Sequence, residues 1–216
     1  TGWVDVDLSK TGIEEAEQSG KLIKDLKIEI DFFYSSYLIR SIKTLEIILN
    51  ILGKKDKTVK AWELNERHYG ELTGLNKAEI KNKIGDQKFK EYRRSWDVSP
   101  PPLKKNSEFS SHNNDKYKKL KKIPDTESLK DTYNRVIPFF EQNIKSKLDD
   151  GKNIIISAHG NTIRALAKKV FNISNKNINQ LEIPTGNPLV IEFNSSGTIE
   201  KAEYLDQTRK KEIIMN

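Results

Sequence analysis

The chain is predicted to be an α/β protein: a three-layer α/β/α sandwich around a mainly parallel sheet with one antiparallel edge strand. Short apolar runs bounded by turn residues alternate along it with longer segments of helical period, the pattern left by helices laid on parallel strands. The run Ile154-Ile155-Ile156 reads as the strongest strand, and His159-Gly160 follows where that strand gives way to a helix. With 216 residues the chain can bury one sizeable core. A single domain over residues 1–216 is expected, with an irregular surface insertion at about 95–126.

Ser9 is a suitable N-cap for a first helix whose Ile13, Ala16, Leu22, Ile23 and Leu26 share one face. Residues 31–35 form a short buried strand, and 37–52 a helix that Gly53 ends. A second strand covers 58–62. From Ser95 to Thr126 the pattern dissolves into Pro100-Pro101-Pro102 and the polar run 116–122, with too little apolar content to carry a core. A helix at about 127–148 is broken or kinked near Pro138, because proline supplies no helical donor. Residues 153–157 are a strand and 161–170 a helix. The pair 189–193 and 199–205, joined across Asn194-Ser195-Ser196-Gly197, closes the sheet.

Composition narrows the function. A 35% hydrophobic content leaves no apolar run long enough to span a bilayer, so no membrane association and a soluble protein are expected. Zero cysteines exclude disulfides, thiolate metal sites and a thiol nucleophile, which fits a cytoplasmic enzyme. The net charge of +7 invites a nucleic-acid partner, but the lysines are scattered over most segments instead of forming one stripe. No nucleic acid is expected. The arginines are more selective: Arg40, Arg67, Arg93, Arg94 and Arg164 fall inside the motifs, where planar bidentate donors suit phosphate and carboxylate.

Those motifs carry the candidate chemistry. In Ile156-Ser157-Ala158-His159-Gly160-Asn161 a histidine stands at the carboxyl edge of a buried strand, and the helix start offers N–H groups to an anion. A cationic His159 beside the Gly160 and Asn161 amides would stabilise a phosphoryl group in flight; a satisfied histidine in a tight turn is the plain alternative. Glu66 lies in Leu64-Asn65-Glu66-Arg67-His68-Tyr69-Gly70, a polar loop from which a carboxylate can take and return a hydroxyl proton, although an Arg-Glu surface pair would look the same in isolation. Arg40 opens a helix directly after a strand, within reach of the same sheet edge, or is a solvated helix arginine. Lys77, Arg93 and Arg94 complete the cations, with ordinary surface charge as the alternative. His112 is expected to be solvated.

In order along the chain, these motifs resemble the cofactor-dependent phosphoglycerate mutases of the histidine phosphatase superfamily. The likeness runs from Thr1 to about Tyr204, through Ser9 and Gly12, the Arg40, Glu66 and Arg93-Arg94 motifs, Glu127-Ser128-Leu129-Lys130-Asp131-Thr132, His159-Gly160-Asn161 and Ile183-Pro184-Thr185-Gly186. It implies catalytic roles for Glu66 and His159. Substrate binding would fall to Thr1, Gly2, Arg40, Arg67, His68, Tyr69, Lys77, Arg93, Arg94, Gly160 and Asn161. It also implies 2,3-bisphosphoglycerate as primer, no metal, small-molecule phosphoglycerates as substrates, and a homodimer or homotetramer. The reaction would be exchange of 3-phosphoglycerate and 2-phosphoglycerate through a phosphohistidine.

Family members open with a strand leading into an Arg-His-Gly turn that carries the phosphorylated histidine. The 216 residues begin just after it, and their only methionine is Met215. The expectation is therefore a piece of a longer protein, inactive in isolation, with unpaired backbone where the opening strand would lie and without the tail that covers the family's site. Two alternatives stay open: a bisphosphoglycerate synthase or phosphatase using the same site, or a non-catalytic phosphate-binding protein.

Overall fold

The computed structural model describes residues 1–215, and of Lys77, Lys83 and Asn113 the backbone alone. Helix α1 (Lys10–Asp25) starts where the sequence places it, with Ser9 Oγ accepting the Gly12 N–H at 3.1 Å, a cap of the kind that contributes about 1 kcal/mol. Strand β1 (Phe32–Ser35) leads into α2 (Ile39–Leu52), which ends at Gly53 with φ 68°, the left-handed turn that glycine adopts without a Cβ clash. Strand β2 (Thr58–Lys60) is shorter than expected, because the chain tightens into a 3₁₀ turn at Trp62–Leu64.

Two short helices, α3 (Lys77–Ile84) and α4 (Asp86–Arg94), then meet at Gly85. Helix α5 (Leu129–Phe140) runs through Pro138, passes into a π turn at Glu141–Lys145 and finishes as α6 (Ser146–Asp149). The break expected at Pro138 is thus a widened turn that follows it. Strand β3 (Ile154–Ser157) precedes α7 (Gly160–Val170), and β4 (Leu189–Phe193) and β5 (Ile199–Tyr204) form the last hairpin.

The main sheet has the order β2-β1-β3 and is parallel throughout, with Phe33 opposite Thr58 on one side and Ile155 on the other. Alternation along the strands feeds two different layers. Phe33 and Ile155 pack with Leu45 and Leu49 of α2, whereas Tyr34, Ile154 and Ile156 pack with Phe140 at the end of α5 and Ile144 in the π turn. The hairpin differs from expectation: β4 and β5 form a separate antiparallel pair and do not close the main sheet. Their inner face packs instead on the α5–α7 cluster, through Leu189, Ile191, Ile199 and Ala202.

The insertion is less peripheral than its composition suggests. Tyr117 is 2% exposed, stacks near Trp3 at 4.9 Å and Tyr37 at 6.1 Å, and accepts from Asn65 Nδ2 at 3.0 Å. Pro101 O receives the Glu71 N–H at 2.8 Å and Asp125 O the Leu103 N–H at 2.9 Å, so the segment is tied down at both ends. His112, expected to be solvated, pairs with Asp125 at 2.7 Å.

Candidate active site

The carboxyl ends of β1 and β3 place Ser36 and His159 side by side. Ser41 Oγ donates to Ser157 O at 2.6 Å and Ser157 Oγ to Ser41 O at 2.9 Å, locking the start of α2 to the end of β3. Ser36 Oγ accepts the Leu38 N–H at 3.1 Å and sits 2.8 Å from His159 Nε2. His159 is 8% exposed. Burial first, then the charges of Arg40 and Arg135, hold its imidazole well below the usual histidine range. These surroundings disfavour the cationic imidazole expected from the sequence, because a charged ring would lose its hydration and face two arginines.

His159 is also the N-cap of α7 and makes no side-chain capping bond, leaving the first-turn N–H groups of that helix to other partners. Glu66 supplies one: its Oε1 accepts the Asn161 N–H at 3.3 Å and the Arg67 N–H at 2.7 Å. Arg40 lies close enough to Glu66 and His159 to act on both electrostatically. Its guanidinium donates to Gly2 O at 2.8 Å and Val4 O at 2.9 Å, which anchors the Gly2 turn beside Tyr69. Thr1, next to it, is exposed.

On the far side of Glu66 the cations gather. Arg67 is fully buried, lies over the Tyr69 ring at 4.8 Å and donates through Nη2 to Arg93 O at 3.2 Å. Among the described residues its Nε and Nη1 find no hydrogen-bond partner. Buried donors are seldom left that way, so the pair is suited to an acceptor from outside the described residues. Arg164 donates to Asn161 Oδ1 at 2.7 Å, and Asn161 Nδ2 donates to Tyr69 Oη at 2.9 Å. Burial, with Arg94 nearby, lowers Arg164 to about 10, still charged at neutral pH.

The sequence-derived candidates thus fall into one neighbourhood, Glu66, His159, Arg40, Arg67, Tyr69, Gly160 and Asn161 at its centre and Arg93 and Arg94 at the end of α4. Arg93 is half-buried over Phe89 at 5.3 Å and Arg94 is exposed. The Lys77 side chain lies outside the described residues. His68 stands apart: it is 1% exposed, packs on Trp3 at 5.6 Å and accepts the Gly70 N–H on Nδ1 at 3.1 Å. Burial lowers it to about 4. Among the described residues no cluster of three or more His, Asp or Glu could hold a metal ion.

Sequence reasoning assigned nothing to Ser36, Trp3, Tyr117 or Arg135. Trp3 Nε1 donates to Glu66 O at 2.5 Å, and Arg135 grips the same loop. The only trace of Arg135 in the sequence is a cation beside the apolar face of α5.

Known proteins resemble the chain over most of its length. The profile of the histidine phosphatase superfamily (branch 1) matches residues 1–111 and 104–203. A 2,3-bisphosphoglycerate-dependent phosphoglycerate mutase of Pelagibacter ubique is 54% identical over 217 residues, covering 100% of this chain and 91% of that one. Proteins of the same name from Treponema denticola and Streptococcus pyogenes are 45% and 46% identical, covering 97% and 95% of this chain and 86% and 90% of theirs. Among solved structures, Bacillus stearothermophilus YhfR superposes with a TM-score of 0.69 at 18% identity, covering 93% of this chain and 85% of its own. A mycobacterial glucosyl-3-phosphoglycerate phosphatase gives 0.67 at 18% identity, covering 94% and 88%. At that identity the two structures speak for the fold alone.

Proposed function

Since the chain belongs to the histidine phosphatase superfamily (branch 1), we propose that it interconverts 3-phosphoglycerate and 2-phosphoglycerate by phosphoryl transfer through a phosphohistidine, primed by 2,3-bisphosphoglycerate. The relatives that match nearly its whole length carry that name. The observation that carries the reading is Glu66: its carboxylate reaches the N-terminus of α7 at the Asn161 N–H, beside His159 and among arginines. A carboxylate there is placed to take and return the hydroxyl proton of a substrate whose phosphate lies on the same helix end.

The residues present fit a polyanionic primer. Among the described residues Arg67 has two buried donors without partners and α7 has no side-chain cap, and Arg40, Arg93, Arg94 and Arg164 lie around the site. Such a primer supplies the phosphoryl group that charges the enzyme. The chain's own groups then divide the work. His159, Arg40 and the Gly160 and Asn161 amides hold the transferring group, while Arg67, Arg93, Arg94 and Lys77 take the second phosphate or the carboxylate. Asn161 and Tyr69 orient each other across the cleft, with Thr1 and Gly2 completing its lining and the buried His68, packed on Trp3, supporting the loop from behind. Protein cations carry the electrostatic load without a metal, in a cytoplasmic enzyme that assembles as a homodimer or homotetramer and has no nucleic-acid or membrane partner.

The purified protein, as its gene encodes it, is expected to convert 3-phosphoglycerate to 2-phosphoglycerate when given catalytic 2,3-bisphosphoglycerate. Free phosphate accumulating in place of 2-phosphoglycerate would instead make it a phosphatase, and absence of both reactions would leave a binding protein.

A further inference from the structure

Arg135 of α5 spends every N–H it has on one loop and one carboxylate. Its Nη1 donates to Glu63 O at 2.6 Å and Asn65 O at 3.1 Å, and its Nη2 to Glu66 O at 3.0 Å. Nε and the other Nη2 hydrogen go to Glu127 Oε1 at 2.6 Å and Oε2 at 2.9 Å, a bidentate pair. That accounts for all five donors of a guanidinium. Glu127 grips the loop further along: Oε2 also accepts the His68 N–H at 2.8 Å, and the Glu127 N–H donates to His68 O at 2.8 Å. Carbonyls at 63, 65, 66 and 68 are thus all held by the two residues of one ion pair, while the Glu66 carboxylate itself is bonded elsewhere, to the Arg67 and Asn161 N–H groups.

The pair is buried, with side chains 7% and 4% exposed. Buried ion pairs contribute little net stability, since desolvation offsets most of the attraction, and apolar replacements often serve as well. What an apolar pair cannot do is fix the backbone of a polar, irregular loop at several carbonyls at once. We propose that Arg135, braced by Glu127, is a positioning residue that sets where the Glu66 carboxylate meets the substrate hydroxyl. It touches no reacting atom; its nitrogens are occupied. The proposal rests on the reading of Glu66 as the proton carrier. Only arginine has the planar five-donor fork the loop requires, and a lysine offers one rotating ammonium in its place.

The test is a double-mutant cycle on the purified protein as its gene encodes it, assayed as a mutase. Arg135→Lys is expected to lower kcat about 30-fold with KM for 3-phosphoglycerate within about threefold, the cost of a carboxylate displaced by a fraction of an ångström. In a Glu66→Gln background the same change is expected to alter the remaining kcat less than about threefold, because there is no proton carrier left to misplace. Glu127→Gln keeps the size and one acceptor, and carries the same cycle at about tenfold if Arg135→Lys does not fold. Losses that multiply undiminished in the Glu66→Gln background overturn the proposal and make the pair merely structural. A Glu66→Gln protein that itself turns over within a few-fold of the parent overturns the reading of Glu66 and the proposal with it.

Discussion

Ser36 Oγ lies 2.8 Å from His159 Nε2, and the same oxygen already accepts the Leu38 N–H at 3.1 Å. The hydroxyl keeps its proton and a second lone pair for the imidazole, so it meets either tautomer of a neutral His159, donating to a bare Nε2 or accepting from a protonated one. Burial and the neighbouring Arg40 and Arg135 already favour the neutral ring. The serine holds the ring in place at Nε2.

Ser36→Ala removes that hydroxyl and leaves a buried ring nitrogen unpaired. The change is expected to cost about 1 to 2 kcal/mol of stability and to change how His159 titrates: it protonates more readily where Ser36 donated to Nε2 and less readily where Ser36 accepted from it. Nitrogen NMR of the histidine side chains reports both tautomer and titration. An unchanged His159 signal in the variant would mean that the ring is oriented by something other than Ser36.

Acid should destabilise the fold through His68. Its imidazole is lowered from 6.5 to about 4, by burial first. Between those values the unfolded chain binds a proton that the folded chain does not, so stability is full above the higher value and falls as pH drops toward the lower. From pH 7 to pH 5 this amounts to about 2 kcal/mol for His68, and His159 is shifted in the same direction. Urea midpoints should fall over that interval, and His68→Gln, which retains an acceptor for the Gly70 N–H, should make the fall shallower. A variant whose profile runs parallel to the parent's removes His68 from the account.

Gly53 and Gly70 separate backbone strain from collision. Both have positive φ, 68° and 55°. A Cβ at Gly53 would meet nothing within 4 Å, whereas at Gly70 it would lie 2.0 Å from Pro101 O and 2.8 Å from Thr126 Oγ1. Gly53→Ala is expected to cost about 1 kcal/mol, the strain alone. Gly70→Ala must also push the insertion off the Glu66 loop, for a total of about 3 kcal/mol or more. Equal losses in chemical denaturation would show that the insertion yields freely.

Local rules made the frame of this fold readable. Ser9 and Gly53 bound their helices as capping chemistry requires, and Phe33 and Ile155 sort to one face of the sheet by alternation. Among the site residues, Glu66, His159 and Arg40 stand out because loop polarity and strand-to-helix junctions are visible along the chain. Contacts between distant backbone groups are not. Nothing near Arg135 tells that it reads carbonyls 69 to 72 residues away. Tyr117 sits in a segment whose average polarity hides one buried ring. Helix α4 buries no side chain, so no apolar period announced it. The hairpin β4–β5 carried its pattern openly, but which sheet it joins depends on pairing partners and not on its own residues.

Glu66→Gln is the decisive substitution for the proposed chemistry. The amide keeps the length and planarity of the carboxylate, and its oxygen can still accept the Arg67 and Asn161 N–H groups that now reach Oε1 at 2.7 and 3.3 Å. What it loses is the ability to take a proton from one substrate hydroxyl and return it to the other. In the protein as its gene encodes it, mutase turnover should fall by about 10² or more, while 2,3-bisphosphoglycerate still leaves an acid-labile phosphohistidine on the enzyme. Loss of the phosphohistidine together with turnover would place Glu66 in the binding of the primer. Turnover within a few-fold of the parent would move the proton shuttle to another group, and the remaining candidate at the cleft is the Tyr69 hydroxyl, which accepts from Asn161 Nδ2 at 2.9 Å and so has its own proton free to face the substrate.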